Sequence, residues 1–139
     1  ALVHLVAGRE AGATLRRGFT TVRDVGGPAF GLKMAIDRGV VEGPRIFPSG
    51  AMISQTGGHG DFRMLSELPR MPSTPANYME RQGVAVIADG ADEVLRRARE
   101  QLMMGASQVK IHAGGGVSPQ YAPLASIQFT EGEMRAAVE

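Results

Sequence analysis

Apolar residues follow two different spacings along this chain. In the stretches 2–17, 30–38 and 92–104 they recur every three or four residues, which is the period of one face of an amphipathic helix. Between these stretches lie short runs of β-branched and apolar residues bounded by glycine, which are typical of buried strands. The predicted strands are 19–25, 45–49 and 108–112, and the apolar run 84–88 is either a further strand or the edge of a loop.

The clearest of the predicted helices is 92–104. Its apolar side chains are expected to face inward and its arginines outward. The expected inward residues are Val94, Leu95, Ala98 and Leu102. A last helix is predicted to begin after Thr130, because Thr130 and Glu133 have the spacing of a capping box.

Helices and strands alternate along the chain, and this order favours an α/β fold with a parallel sheet and helical crossovers. A (β/α) barrel and an open doubly wound sheet both fit. In either fold the chemistry lies beyond the carboxyl ends of the strands, which directs attention to Asp24, to residues 49–61 and to residues 110–118. A long irregular stretch, 51–77, is predicted in this region, and loops of that length are usually functional or mobile.

Composition narrows the classes of function. The chain has 139 residues, a formal net charge of +1 and no cysteine. This length suffices for one domain, and the balanced charge gives no general attraction to nucleic acid or a membrane surface. Disulfides and thiolate metal sites are excluded. No apolar run approaches the roughly 18 residues of a membrane helix, and no signal-peptide n-region is present, so we expect a cytoplasmic protein.

Both ends predict that the sequence is a piece of a longer chain. It begins with Ala1 rather than methionine, and its last helix reaches Glu139 without a C-terminal cap. We therefore expect the domain formed by residues 1–139 to continue beyond both ends. The alternative is a complete small protein with frayed ends.

Three side chains near the predicted strand ends are candidates for chemistry. Lys110 lies inside an apolar strand, where an unpaired ammonium is costly. It either has a depressed pKa, forms a Schiff base, is chemically modified, or reaches solvent at the strand end. His112 faces the same side as Lys110, and either approaches a metal or substrate or makes a structural hydrogen bond. His59 lies among glycines, where it contacts a ligand or closes the turn.

A run of glycines, 114–116, follows the same strand. Glycine lets a backbone approach a ligand closely, but this run lacks the spacing of a phosphate-binding motif. His4 has no second histidine at metal-ligand spacing and is interpreted as structural.

Five segments of the sequence resemble the amidohydrolase superfamily, and they occur in order over nearly the whole chain. They are GFTTVRDVGG at 18–27, GPRI with SG at 43–50, ISQTGGHGD at 53–61, ADG at 88–90 and GASQVKI at 105–111. The third segment is more specific than the first two. Together with the last two, it resembles the branch of imidazolonepropionase-like proteins and metal-dependent Xaa-Pro dipeptidases.

The resemblance implies part of a (β/α)8 TIM barrel, covering barrel strands 2–4, with one or two divalent metals at the carboxyl ends of the strands. Zinc is the expected metal. It also implies that Lys110 is the lysine, often carboxylated, that bridges two metals. A carbamate would turn an unfavourable buried cation into an oxygen anion that two metals can share. The remaining ligands and the general-base aspartate are expected beyond the chain ends, so no catalytic residue is expected within the chain.

The same resemblance assigns a role to the glycine-rich loop. His59 matches a family motif and is expected to contact substrate or to organise its loop. Gly58 and Gly115 are expected beside the substrate. His112 falls at a position that is not a family ligand.

The implied function is hydrolysis of a C–N bond, in an amide, peptide or cyclic amide, through a metal-activated water. The substrate would be a small molecule or dipeptide, and the full-length protein is expected to be a homo-oligomer. These residues alone are expected to be inactive, because one lysine cannot hold a metal. The alternative is a non-catalytic module, either a partial barrel that self-associates through open strand edges or a binding unit.

Overall fold

The computed structural model of the chain describes residues 2–71 and 73–139. Helices in it are separated by strands of three residues each. Along the chain the elements are α1 (Leu2–Arg16), β1 (Thr21–Arg23), α2 (Phe30–Asp37), β2 (Arg45–Phe47), β3 (Met52–Ser54), α3 (Tyr78–Arg81), β4 (Ala85–Ile87), α4 (Ala91–Met103) and α5 (Glu131–Val138). A single 3-10 turn covers Leu65–Glu67.

The strands form two parallel pairs. β1 pairs with β2, and β3 pairs with β4. Parallel neighbours need a crossover connection, and a helix lies between the two strands of each pair: α2 in the first and α3 in the second. The predicted α/β class with parallel strands is therefore confirmed.

Ile53 connects the second pair to a further extended segment. Its side chain is fully buried, and its residue lies opposite Val86 in the pairing of β3 with β4. On its other side, Ile53 forms a parallel bridge with Ile111. The Ile53 N–H donates to the Lys110 carbonyl at 2.8 Å, and the His112 N–H donates to the Ile53 carbonyl at 3.1 Å. The order is thus β4, β3 and the segment around Ile111.

Gln108 joins this group of segments to the first strand pair. Its side-chain Nε2 donates to the Asp24 carbonyl at 3.0 Å and to the Phe47 carbonyl at 2.8 Å. The neighbouring Ser107 N–H donates to the Pro48 carbonyl at 2.8 Å. These bonds hold the carboxyl ends of β1 and β2 beside the segment that carries Lys110.

The hydrophobic core lies between β3, β4 and the two last helices. α4 packs against α5 and against β3. The buried core residues are Ala51, Ile53, Val86, Ala88, Val94, Ala98 and Phe129. This core supports the strand that precedes the glycine-rich loop, so the loop starts from a fixed position.

The predicted helices at 2–17, 30–38 and 92–104 are confirmed, each within one residue of its predicted ends. The capping box at Thr130 is also confirmed, since the Thr130 N–H donates to Glu133 Oε2 at 2.7 Å and the Glu133 N–H donates to Thr130 Oγ1. Among residues 2–71 and 73–139, no helix combines the length and apolar character needed to cross a membrane.

The prediction for the inner face of α4 is partly wrong. Val94 and Ala98 are buried, but Leu102 is 52% exposed and the polar Gln101 is only 2% exposed. Gln101 is inside because its Oε1 accepts the buried Ala51 N–H at 2.8 Å. The hydrogen bond to Ala51 therefore decides that Gln101 is buried, against the apolar spacing along the helix.

Two strand predictions also need correction. The stretch 51–77 is not irregular at its start, because Met52–Ser54 forms β3. This run is only three residues long, begins two residues after Gly50 and shows no alternation that would mark it as a strand. The strand predicted at 108–112 contributes only the bridge at Ile111. The run 84–88, which was open between strand and loop edge, contains β4.

We predict that Gln101→Leu lowers the free energy of unfolding by about 1–3 kcal/mol, because it leaves the Ala51 N–H buried without an acceptor. Urea unfolding followed by circular dichroism measures the change. The exposed Gln82 provides the matched control, and Gln82→Leu should change stability by less than about 0.5 kcal/mol. Equal effects of the two substitutions would contradict the assigned role of Gln101.

We predict that the stabilisation by Glu133 is lost in acid. The backbone N–H groups of Thr130 and Gly90 donate to its carboxylate and lower the pKa of Glu133 below its usual value of 4.5. A lowered folded-state pKa means that the contribution is complete above the unfolded-state value and disappears as pH falls through the folded-state pKa. Glu133→Gln should therefore destabilise the protein at pH 7 and cost progressively less below pH 4.5.

The measurement is urea unfolding of wild type and variant at several pH values. Glu131→Gln serves as control, because Glu131 pairs only with Arg135 at the surface. A constant difference between wild type and Glu133→Gln from neutral pH to pH 3 would contradict the prediction.

Candidate functional site

The carboxyl ends of the parallel segments meet at one edge of the fold. The loop carrying His59 follows β3, and Lys110 and His112 flank the residue that bridges to β3. Because these segments run in the same direction, the side chains that follow them gather at the same edge. The structure therefore brings together the three residues that the sequence singled out.

Lys110 is anchored through its backbone and has a free side chain. Its carbonyl accepts the Ile53 N–H, which fixes the residue beside β3. The residue is half-buried, and its ammonium makes no ion pair or hydrogen bond with any residue in the part of the chain that the structure describes. A partly buried cation without a partner is unfavourable as such. The amine is thus available for a ligand or a modification.

The loop that carries His59 is fixed by side chains from several elements. Gln128 Oε1 accepts the His59 N–H at 3.0 Å, and Ser54 Oγ accepts the Gly60 N–H at 3.0 Å. The Asp61 carboxylate accepts the Gly57 N–H at 2.8 Å. Three backbone N–H groups between residues 57 and 60 are thereby held in place, so the His59 ring is presented from a preorganised loop.

A buried ion pair closes this loop. Arg63 donates to both carboxylate oxygens of Asp61, at 2.7 and 2.6 Å, and the two side chains are 5% and 6% exposed. Burial raises the pKa of Asp61, but the hydrogen bonds from Arg63 and Gly57 outweigh burial and hold that pKa below its ordinary value. Asp61 is therefore a structural anion that is already neutralised, and it is not available as a general base.

His59 and His112 lie against each other. Their ring centroids are 4.9 Å apart and the planes are inclined by 43°. His112 is 8% exposed, and its Nδ1 is buried without a hydrogen-bond partner among the described residues. Burial, with smaller contributions from His59 and Lys110, lowers the pKa of His112 to about 4. At neutral pH the ring is uncharged.

Gly58 and Gly115 have little space on the side where a Cβ would lie. At Gly58 such an atom would be 2.5 Å from Ser54 Oγ, and at Gly115 it would overlap the Pro123 carbonyl. The Gly115 N–H is already used by the Ser126 carbonyl. Both glycines therefore allow the chain to pack closely on itself, and a substrate contact at either one stays a prediction.

Asp24, at the carboxyl end of β1, has a local role. Its carboxylate accepts the Gly26 N–H at 3.4 Å, and burial raises the pKa of Asp24 above its usual value. The aspartate orders the turn after β1.

A cavity of about 430 Å³ opens beside His59, between its loop and residues 118–121. The charged residues lining it, Asp61 and Arg63, neutralise each other. The apolar and aromatic lining residues are Met52, Phe62, Met64, Pro119 and Tyr121. This volume suits a small ligand, and the lining favours one with an apolar part and a polar group facing His59.

A larger cavity, of about 820 Å³, lies elsewhere and contains none of the three candidate side chains. It is lined by four arginines, each of which is paired with a carboxylate. Because the guanidinium charges are already balanced, this cavity has no obvious attraction for an anion.

Within the ranges 2–71 and 73–139 no three histidine, aspartate, glutamate or cysteine side chains lie close enough together to hold a metal. Lys110 fits such a role, because its amine is partly buried and has no partner among the described residues. As a carbamate, that amine would become an oxygen donor. Further ligands would have to come from outside these residues.

Sequence reasoning missed the contact between His59 and His112. The only signal for it was the spacing of His112 two residues after Lys110, which places both on one side of an extended segment. It also missed the roles of Gln128 and Arg63 in holding the loop. The contacts of His59 with His112 and with Gln128 depend on how distant parts of the chain fold back, so no local pattern marks them. Arg63, in contrast, lies only two residues from Asp61, so these opposite charges were an available local signal.

Comparison with solved structures gives close matches. A prolidase complexed with N-methylphosphonate-L-proline is 42% identical, with a TM-score of 0.87 over 99% of this chain and 33% of that protein. A Xaa-Pro dipeptidase with bound methionine in its active site is 34% identical, with a TM-score of 0.75 over 96% of this chain and 32% of that protein. These matches confirm the predicted fold class, part of an amidohydrolase barrel.

Among curated proteins, ochratoxinase from Aspergillus niger is 35% identical over an alignment of 136 positions that covers 90% of this chain and 27% of that enzyme. The chain spans about a quarter of the length of this relative and about a third of the solved structures. A family model described as the amidohydrolase family matches residues 3–139. On this match the chain belongs to the amidohydrolase family, as the sequence motifs predicted.

Proposed function

We propose that this chain is part of a metal-dependent hydrolase that cleaves a C–N bond in a dipeptide or other small N-acyl amino acid. The observation that carries the proposal is the position of Lys110. Its unpaired, half-buried amine lies at the carboxyl edge of the parallel segments, next to the loop of His59, in a chain of the amidohydrolase family. Relatives with hydrolytic names, prolidase and ochratoxinase, support the reaction class.

In this proposal Lys110 acts as a carbamate. The neutral amine would attack CO₂ to form an N–C bond, and the proton it loses would pass to solvent. The product replaces the unpartnered lysine cation with an anion, whose charge divalent metals held there would neutralise. Divalent metals held there would supply a water of lowered pKa and polarise the scissile carbonyl. The backbone hydrogen bond from Ile53 holds the part of the Lys110 backbone from which the carbamate would extend.

His59 would bind the substrate. Its ring lines the 430 Å³ cavity, and its backbone is held by Gln128. An imidazole at this place can donate a hydrogen bond to a carboxylate or carbonyl oxygen of the substrate. The apolar walls formed by Phe62 and Tyr121 would take an apolar part of the substrate. The prolidase bound to an L-proline phosphonate and the dipeptidase bound to methionine support a ligand of this size.

The proposed activity needs more than these 139 residues. Lys110 is a single metal donor, and one donor does not hold a divalent ion firmly. We therefore expect the isolated segment to bind almost no metal and to be inactive. The competing proposal, a non-catalytic module that self-associates, rests on the exposed apolar residues of α1, of which Leu2, Val3 and Leu5 are each more than two-thirds exposed.

We predict that Lys110→Ala in the full-length protein abolishes binding of a metal pair and lowers kcat/KM by at least about a thousandfold, since several kcal/mol of transition-state stabilisation depend on the metal. Metal content per chain by mass spectrometry, together with hydrolysis of the dipeptide Ala-Pro and of N-acetyl-L-methionine, measures both effects.

The matched control is Lys33→Ala, which removes the other lysine of the chain, one that pairs with Asp37 on α2. It should leave metal content and activity unchanged. Full metal content and activity in Lys110→Ala would overturn the assignment of the lysine. A full-length wild-type protein without metal would favour the non-catalytic module.

We predict that His59→Ala raises KM by about tenfold or more and leaves the metal content intact, because it removes one hydrogen bond to a charged group of the substrate. Steady-state kinetics with the same two substrates and metal analysis measure this. The exposed His4 on α1 provides the control, and His4→Ala should change neither quantity. Loss of metal in His59→Ala would show that His59 serves the metal site instead.

A further inference from the structure

We propose that His112 is a positioning residue that sets the orientation of the His59 ring, and thereby ties the substrate-binding histidine to the segment that carries Lys110. The inference rests on the proposed substrate role of His59 for its functional consequence. The geometric part stands on the contacts alone, and the two parts are tested separately.

The His59 ring packs against two other parts of the chain. Its ring lies 4.9 Å, centroid to centroid, from the ring of His112. It also lies against Gly116, where an added Cβ would overlap Cε1 and Nδ1 of His59. No hydrogen bond to the described residues orients the His59 ring, so packing contacts, these two among them, limit its rotation.

His112 is itself held by a backbone hydrogen bond and by close packing. Its N–H donates to the Ile53 carbonyl, and the side chain is more than nine-tenths buried. A Cβ at Gly60 would lie 2.9 Å from its Cε1 and 3.1 Å from its Nδ1, so that edge of the ring meets backbone directly. A ring held on these sides is a rigid surface for His59.

His112 acts on the His59 ring through packing and not through a hydrogen bond. Its buried Nδ1 has no hydrogen-bond partner in the described ranges. The contribution to His59 is therefore one of shape and aromatic contact. An aromatic ring without nitrogen atoms should retain most of it, whereas a methyl group should not.

The pair formed by His59 and His112 is also tied to Lys110. His112 follows Lys110 by two residues, and both are bonded through their backbone to the same residue, Ile53. A displacement of this segment would move both the amine of Lys110 and the surface on which His59 rests. The distance between Lys110, on the proposed metal side, and His59, on the proposed substrate side, thus depends on one short segment.

The test uses two substitutions that disturb the His59 ring from different sides. His112→Ala removes the ring beneath it. Gly116→Ala adds a methyl group into the space of the His59 ring, at a backbone conformation that alanine tolerates. The control is Gly114→Ala, whose Cβ would meet only the Ser126 carbonyl at an ordinary 3.6 Å.

The direct readout is the NMR resonance of the His59 Cε1–H group in histidine-labelled full-length protein, assigned by its absence in His59→Ala. We expect it to shift in His112→Ala and in Gly116→Ala and to stay in place in Gly114→Ala. His112→Phe should leave the His59 resonance near its wild-type position, because the phenyl ring keeps an aromatic ring next to His59. An unchanged His59 resonance in both test variants overturns the inference and leaves the proposed function intact.

The functional readout is a double-mutant cycle. We expect His112→Ala and Gly116→Ala each to raise KM for Ala-Pro by about fivefold with little change in kcat, and to have no further effect in the His59→Ala background. His112→Phe should restore KM. Equal increases of KM in both backgrounds, or loss of metal in His112→Ala, overturn the inference.

Stability is measured in parallel, because His112→Ala also removes a buried ring. Val94→Ala, which truncates a buried side chain of α4, is the stability control and should leave KM unchanged. A rise of KM in Val94→Ala equal to that in His112→Ala would show a general effect of destabilisation and overturn the inference. If His59→Ala leaves KM unchanged while the NMR shifts occur, the substrate role of His59 fails and the positioning contact stands.

Discussion

Ile53 is the residue on which the arrangement of this chain depends. Its backbone pairs with β4 on one side and bonds to Lys110 and His112 on the other, and its side chain is fully buried in the core. A single three-residue strand therefore fixes the core, the loop that starts after it and the segment that carries the lysine. Because all three share one support, the candidate site does not need long strands to be well defined.

The loop after β3 shows how the chain orders a glycine-rich segment. Five consecutive residues with three glycines lose much conformational freedom on folding, and bonds from Ser54, Gln128 and Asp61 compensate for this loss. Asp61 is in turn paired with the buried Arg63. A buried ion pair contributes little net stability. Here it fixes the backbone of the loop, and the position of this backbone decides the direction of the His59 imidazole.

The sequence predicted the helices well, because their apolar period and glycine stops are local signals. The Thr130 capping box is local too, and its hydrogen bonds are present. β3 escaped prediction because three residues are too few to show a period, and the burial of Gln101 depends on a backbone group fifty residues away. For the site, residue type and the position after a strand pointed to Lys110 and His59. The packing of His112 on His59 required the fold, since the two residues are 53 positions apart in the sequence.

Gly116 has a consequence for how this family varies. Its backbone is not in the left-handed region, so conformation does not demand a glycine there. What demands it is the space already taken by the His59 ring. Homologues that keep a histidine at position 59 should therefore be restricted to glycine at 116, whereas those that have lost the histidine are free to carry larger residues. The two positions, 57 residues apart by number, should covary during evolution.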